Sequence, residues 1–164
     1  MEKKKVYVET TVVSDATALP TNNLALVGRQ VATREWWNTA SDRFDLYVSP
    51  VVRREVANGD KSAVERRLAA IKDLPDAELT SHAATLAGQL VESKAVPEPY
   101  RDDAMHIAIA AVSGMDYLVS WNFKHITNAQ MIPKIKAVCA ANGFKCAEIC
   151  TPQMLQSAEE ADNA

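Results

Sequence analysis

The chain has 164 residues, a length that fits one domain over residues 1–155, and its polar end, residues 156–164, is expected to be a disordered tail. The formal net charge of −3 excludes nucleic-acid binding through bulk electrostatics alone, so such a partner would need a local basic rim. The three cysteines, crowded near the C-terminus, match neither a paired zinc site nor a regular disulfide framework, which favours a cytoplasmic setting.

Strand-like and helix-like segments alternate along the chain, a pattern typical of an α/β fold with a largely parallel sheet. The apolar stretch of the first strand is broken at Glu9, so it is too short for a signal peptide and we expect no secretion. In the first half of the chain we expect strands at residues 6–8 and 46–48, and helices at residues 23–40, 50–58 and 61–72.

Side chains that can cap helices support these boundaries. Asn22 or Asn23 can accept the free amides at the start of the long helix. Ser49 followed by Pro50 marks a second helix start, and Asp60 or Ser62 marks a third. Along the long helix, apolar residues recur at helical spacing: Leu24, Val27, Val31, Ala32 and Trp36.

In the second half we expect a brief edge strand at residues 79–80, strands at 117–120 and 145–149, and helices at 81–93, 101–113 and 128–142. The helix at residues 101–113 is apolar nearly all round after its first turn, so we expect it to be buried. Its longest apolar run, residues 107–112, is far shorter than the roughly 18–20 residues that span a bilayer, so we expect no membrane association.

Two glutamates stand where a parallel sheet usually builds its site. Glu9 ends an apolar strand without a packing reason, although a surface residue at a strand end would also fit, and Thr10 beside it offers a hydroxyl. Glu55 lies in the second turn of the helix that follows Ser49. A negative charge near a helix N-terminus is favourable in itself, which leaves a purely structural role open for Glu55.

Two aspartates, Asp102 and Asp103, open the apolar helix at residues 101–113. One of them fits an ordinary helix cap, and Asp103 is expected to point at the site. His106 follows Asp103 by three residues on the same helix face, where a hydrogen-bonded core residue is favoured over a metal ligand.

Polar residues also follow the strand at residues 117–120. Asn122 is placed to offer an amide oxygen or an amide donor at the carboxyl end of this strand, and a plain turn residue is the alternative. Ser120 precedes it and adds a hydroxyl.

Clustered carboxylates without matching cysteine or histidine spacing favour Mg²⁺ or Mn²⁺ over zinc. Such an ion can orient a phosphodiester, lower the pKa of an attacking water and stabilise charge on the scissile phosphate. The pattern therefore indicates nuclease chemistry. Basic residues available for a rim around such a site are Arg53, Arg54, Arg66, Arg67, Arg101, Lys124, Lys134 and Lys136.

Taken in order, the acidic residue after the first strand, the glutamate-containing helix, the Asp-Ala-Met-His-Ile-Ala helix and the Leu-Val-Ser-Trp-Asn-Phe-Lys-His-Ile segment resemble the PIN-domain family over residues 6–150. The resemblance implies a three-layer α/β/α fold with a mostly parallel sheet and Mg²⁺- or Mn²⁺-dependent cleavage of RNA. It extends to the VapC-type toxin subgroup, which implies an endoribonuclease toxin of a type II toxin–antitoxin pair, a cognate antitoxin and a homodimer.

The resemblance also implies roles for particular residues. The family's four acidic positions fall on Glu9, Glu55, Asp103 and Asn122, of which the first three would hold the metal. Glu9 stands where aspartate is commoner, and Asn122 removes one negative charge, which should weaken metal affinity. Supporting roles fall on the neighbouring residues Thr10, Asp102, Ser120 and His106.

Other classes fit less well. A receiver-like phosphoacceptor domain would need paired acids after the first strand, but Glu9 is followed by Thr10 and Thr11. Nucleotide-binding folds are disfavoured because the five glycines are scattered and form neither a GxGxxG nor a GxxxxGK[ST] motif. The serious alternative is a non-catalytic PIN-like scaffold that binds RNA or a protein partner through the same cleft, and Asn122 is the main argument for it.

Overall fold

A computed structural model describes residues 2–156, which form an α/β fold with an all-parallel four-stranded sheet. Residues 157–164, most of the predicted disordered tail, lie outside the described residues. The strands are β1 (Lys4–Val8), β2 (Phe44–Tyr47), β3 (Tyr117–Val119) and β4 (Glu148–Cys150), in the spatial order β2-β1-β3-β4. The helices are α1 (Thr10–Thr17), α2 (Leu24–Arg43), α3 (Pro50–Val56), α4 (Lys61–Ile71), α5 (Ser81–Glu92), α6 (Arg101–Val112) and α7 (Ile132–Ala141). Short 3₁₀ helices at Glu98–Tyr100 and Pro152–Leu155 complete the described elements.

The core lies around the two central strands and the apolar helix α6. Tyr7 and Leu118 on the strands and Ile107 on α6 are each less than 2% exposed. The predicted burial of α6 is therefore confirmed. Helices that pack on an all-parallel sheet are compatible with the expected three-layer α/β/α arrangement, because parallel strands need crossover connections that cover the sheet faces.

Several helix starts follow the capping signals of the sequence. Asn23 accepts a hydrogen bond from Ala25 N and caps α2, and Asp60 does the same for α4 through Ala63 N. Ser49 caps α3 by accepting from Val52 N at 3.2 Å. Polar caps hold these boundaries because they satisfy backbone amides that have no partner within the helix.

The sequence did not predict α1. Its residues Thr10, Thr11, Val12 and Val13 are β-branched, which lowers helix propensity, and its cap is a glutamate rather than one of the usual cap residues. Tertiary packing overrides this local preference, since Val12 and Val13 are fully buried.

Two other predictions were wrong in part. Residues 79–80 do not form an edge strand, because Thr80 caps α5 through Ala83 N, while the extra bridge beside β2 joins Val48 to Asp76. Helix α7 begins at Ile132 rather than at Asn128, because Asn128 closes a turn through Gln130 N and regular helix starts only around Pro133.

Helix α2 has both a buried and an exposed apolar stripe. Ala32 and Trp36 contact the core, whereas Leu24 is 90% exposed and Val27 and Val31 are also exposed. The apolar residues that recur at helical spacing in the sequence therefore belong to two different faces of α2. Within residues 2–156, no helix is long and apolar enough to cross a membrane.

Candidate functional site

The carboxyl ends of β1 and β3 lie side by side in the middle of the sheet. The two strands pair up to their last residues, and Glu9 donates its backbone amide to Val119 O at 3.1 Å. Glu9 and Ser120 therefore leave neighbouring strands at the same edge. Helices α3 and α6 bring Glu55 and Asp103 to this edge from two further elements, as the sequence predicts for a parallel sheet.

Glu9 is a buried side chain at this edge, with only 3% of its surface exposed. Its Oε2 accepts hydrogen bonds from Thr11 N at 2.8 Å, from Thr11 Oγ1 at 2.5 Å and from Ser120 Oγ at 3.1 Å. Burial raises the pKa of Glu9, although the nearby His106 and the Thr11 hydrogen bonds act in the opposite direction. Glu9 is thus not the exposed strand-end residue that the sequence left as an alternative.

Glu55 forms a close pair with His106. Its Oε1 accepts from His106 Nε2 at 2.6 Å and from Thr10 Oγ1 at 2.7 Å. Burial acts to raise the pKa of Glu55, but the His106 hydrogen bond and charge outweigh it and leave that pKa lowered. Burial acts to lower the pKa of His106, but its hydrogen bond to Glu55 and the carboxylates around it leave that pKa raised. Both shifts favour an ionised Glu55–His106 pair.

A buried hydrogen-bond chain continues behind this pair. The other ring nitrogen, His106 Nδ1, lies 2.6 Å from Tyr7 Oη, which lies 2.7 Å from Ser49 Oγ. Burial raises the pKa of Tyr7 far above its usual range, so the hydroxyl stays protonated. Because both His106 nitrogens are engaged and its side chain is 0% exposed, His106 fits the hydrogen-bonded core residue that the sequence favoured.

Asp103 and Asn122 form the other side of the cluster. Asn122 Oδ1 accepts from His125 N at 3.0 Å, and the Asn122 side chain acts to lower the pKa of the nearby Asp103. Burial raises the pKa of Asp103, against the lowering effect of Asn122 and of the nearby histidines. Asn122 therefore orders its turn through Oδ1, and an aspartate in its place could not supply an amide donor towards Asp103.

The three carboxylates interact through Glu55, whose charge raises the pKa of both Glu9 and Asp103. Within residues 2–156, the hydrogen bonds to Glu9 go to Oε2 and those to Glu55 go to Oε1. One oxygen of each glutamate is thereby left for a further ligand. Repulsion among partly buried carboxylates is costly unless a proton or a cation relieves it.

The donor chemistry fits a hard divalent cation, since carboxylate and amide oxygens are the ligands that Mg²⁺ and Mn²⁺ prefer. In the described part of the chain, however, no group of three or more His, Cys, Asp or Glu side chains is arranged so that it could hold a metal ion. The cluster is thus an open set of oxygen donors rather than a closed cage. Mg²⁺ commonly uses only one or two carboxylates together with water and substrate phosphates, so an open set still suits it.

The rim of the site carries charges of both signs. Asp102, one of the predicted supporting residues, points to the surface and pairs with Arg54 at 2.7 Å. Arg53 instead pairs with Asp76 and donates to backbone carbonyls, and Lys136 pairs with Glu148. Of the basic residues that the sequence offered for a rim, several thus have structural partners.

Sequence reasoning missed Thr11, Tyr7 and Ser49 as parts of the site. Thr11 binds Glu9 twice and also accepts from Trp121 N at 2.9 Å, so it joins the two strand ends. The Thr-Thr pair after Glu9 was the available signal. No sequence signal marks Tyr7, because a tyrosine in an apolar strand equally fits the core.

A scan against protein-family models finds no match for this chain, and a search of curated proteins finds no similar sequence. The interpretation of the site therefore depends on the chemistry of its own residues.

Proposed function

We propose that the chain is a Mg²⁺- or Mn²⁺-dependent endoribonuclease of PIN-domain type. The main support is that Glu9, Glu55 and Asp103, from three separate elements at the carboxyl end of a parallel sheet, are partly or fully buried, and that the charge of Glu55 acts to raise the pKa of both other carboxyl groups. A cation explains this costly arrangement better than packing does.

In this proposal Glu9, Glu55 and Asp103 hold the metal through their carboxylate oxygens. The bound ion would supply Lewis-acid stabilisation of a scissile phosphate and activation of a water. His106 and Thr10 keep one oxygen of Glu55 occupied and leave the other for a ligand. Thr11 and Ser120 do the same for Glu9, and Asn122 orients Asp103 as a neutral hydrogen-bonding group.

The resemblance to VapC-type toxins supports a role as the toxin of a type II pair, restrained by a cognate antitoxin in the cytoplasm. It also supports a homodimer. The exposed apolar stripe of α2, formed by Leu24, Val27 and Val31, is a suitable surface for self-association because clustered exposed apolar residues mark interfaces.

A cleavage assay on a mixed RNA pool tests the activity. Wild type should cleave with Mn²⁺ and not with EDTA, and Asp103→Asn should lower the rate by more than about 100-fold, because the amide cannot replace a charged ligand. Thermal melting should show Asp103→Asn folded and at least as stable as wild type without metal, since burial raises the pKa of Asp103.

Asn122→Asp separates the enzyme from the non-catalytic scaffold. If the wild type is an active enzyme, Asn122→Asp should tighten Mn²⁺ binding, because the substitution adds a negative charge beside Asp103. If wild type and Asp103→Asn are equally inert while Asn122→Asp gains metal-dependent cleavage, the native chain is a scaffold that has lost its chemistry.

A further inference from the structure

Three aromatic residues stand close in the chain to Asp103 and Asn122, and we name Tyr100, Phe123 and His125 the aromatic shelf. The rings of Tyr100 and His125 are stacked, with centroids 4.1 Å apart and planes inclined by 29°. Tyr100 is 49% exposed and Phe123 is 52% exposed. Aromatic rings with this much exposed surface can stack against another flat ring.

The shelf is held in place by the same residues that build the site. Tyr100 stands immediately before α6, three residues ahead of Asp103. His125 donates its backbone amide to Asn122 Oδ1 at 3.0 Å, and its charge acts to lower the pKa of Asp103, so its ring lies near that carboxyl group. The Tyr100–His125 stack thus flanks the Asp103–Asn122 pair.

The Phe123 ring packs against a buried residue, Trp121. Phe123 makes an edge-to-face contact with Trp121, with centroids 6.0 Å apart. Trp121 is 6% exposed, and its indole Nε1 donates to Thr33 Oγ1 at 2.8 Å. The shelf is therefore preorganised, which lowers the entropy cost of binding.

Positive charge alternates with the rings. Lys124 lies between Phe123 and His125 in the chain, and Arg101 follows Tyr100 directly; both are exposed. Rings that can stack on bases, interleaved with cations that can contact phosphates, form the usual composition of a surface for single-stranded nucleic acid.

We propose that Tyr100 and its shelf bind an unpaired nucleobase of the RNA substrate, next to the phosphate presented to Asp103 and Asn122. The proposal rests on the ribonuclease function and names its substrate class, single-stranded RNA. Bases within a duplex are stacked on one another and cannot lie on a protein ring, so a duplex should be bound poorly.

The His125 ring supports the stack rather than a hydrogen bond. Among the described residues, its Nε2 is buried without a hydrogen-bond partner. A buried nitrogen without a partner costs stability, which indicates that the ring is present for another reason. His125→Phe, which keeps a flat ring and removes this nitrogen, should therefore retain RNA binding.

Binding is best measured without metal, using a short RNA that carries 2-aminopurine, whose fluorescence falls on stacking, either single-stranded or annealed to its complement. Wild type in EDTA should quench the single strand and bind it more tightly than the duplex. Tyr100→Ala should weaken binding about tenfold and abolish the quenching, whereas Tyr100→Phe should stay within about twofold of wild type. Leu79→Ala, at a position 46% exposed, is the matched surface control and should bind like wild type.

Melting curves establish that each variant is folded. Equal single-strand affinity of wild type and Tyr100→Ala, or equal affinity of wild type for single strand and duplex, would overturn the proposal. A parallel Mn²⁺ cleavage assay separates the two claims. If cleavage requires Asp103 but is unaffected by Tyr100→Ala, the role of the shelf is wrong and the nuclease function stands. If quenching depends on Tyr100 but no cleavage occurs, the nuclease function is wrong and the shelf is an RNA-binding surface.

Discussion

At the scale of single residues, the unusual feature is the buried chain from Ser49 through Tyr7 and His106 to Glu55. Each link is 2.6 or 2.7 Å long, and Tyr7 and His106 are fully buried. Groups that hydrogen-bond to a metal-binding side chain from behind fix its orientation. We infer that Tyr7 is a positioning residue, which acts on Glu55 through His106.

Removing only the Tyr7 hydroxyl tests this role. Tyr7→Phe should weaken Mn²⁺ binding about tenfold, because the His106 ring loses the partner that orients it. It should also destabilise the fold by about 1–3 kcal/mol, because a buried ring nitrogen is left without a partner. Titration of Mn²⁺ and thermal melting measure the two effects separately.

Tyr47→Phe is the matched control, since Tyr47 pairs with Tyr7 across β1 and β2 but takes no part in the chain of hydrogen bonds described above. It should leave the Mn²⁺ dissociation constant unchanged. Equal Mn²⁺ affinity in wild type and Tyr7→Phe would assign Tyr7 to stability alone.

Among helices and strands, the boundaries predicted from the sequence are most accurate where a capping side chain or a regular spacing of apolar residues marks them locally. Asn23, Ser49 and Asp60 start their helices as capping chemistry indicates. Prediction from the sequence failed for α1, whose β-branched residues become helical because Val12 and Val13 pack into the core. Long-range burial is not encoded in any local window, so such a helix could not be predicted from spacing.

The exposed stripe of α2 gives a prediction at this scale. If Leu24, Val27 and Val31 form the homodimer interface, Val31→Asp should shift the protein towards monomer, because a charge is buried without a partner in the interface. Light scattering coupled to size-exclusion chromatography measures the mass. Leu68→Asp, on α4 with similar exposure, is the control that should leave the mass of wild type unchanged.

At the scale of the whole molecule, the order of strands explains why the site could be predicted in outline. Acidic residues after β1, in the second turn of α3 and in the first turn of α6 are brought to the same side because the carboxyl ends of parallel strands share one edge. The burial of Glu9 and the His106–Tyr7 hydrogen bond could not be predicted from the sequence, because both depend on side-chain packing. The sequence did predict that Asp103 rather than Asp102 would point at the site, and Asp102 lies in a surface ion pair with Arg54.

Stability should depend on pH in a way that follows from the pKa shifts. The pKa of His106 in the folded protein is raised above its usual 6.5. Its contribution to the free energy of unfolding is therefore fully present below pH 6.5 and is lost as the pH rises through the pKa of the folded state. Glu9 and Asp103 also have raised pKa values, so their contributions to stability are likewise lost as the pH rises, over a range that begins at lower pH. Glu55, whose pKa is lowered from 4.5, contributes above that pH and loses its contribution on acidification.

Without metal, the melting temperature should therefore be highest at about pH 5–6 and fall towards pH 8. Mn²⁺ at 100 times its dissociation constant should add about 2.7 kcal/mol at pH 8, or roughly 5–10 °C. His106→Gln should flatten the decline above pH 6.5. A metal-free melting temperature that rises from pH 6 to pH 8 would contradict the shifts.

Anomalous diffraction from crystals grown with Mn²⁺ would show where the ion binds. We expect one Mn²⁺ peak among Glu9, Glu55 and Asp103, with carboxylate oxygens from these residues about 2.0–2.3 Å away. Crystals in which Mn²⁺ is absent from this cluster, or in which the carboxyl groups of Glu9 and Asp103 stay more than about 10 Å apart, would contradict it.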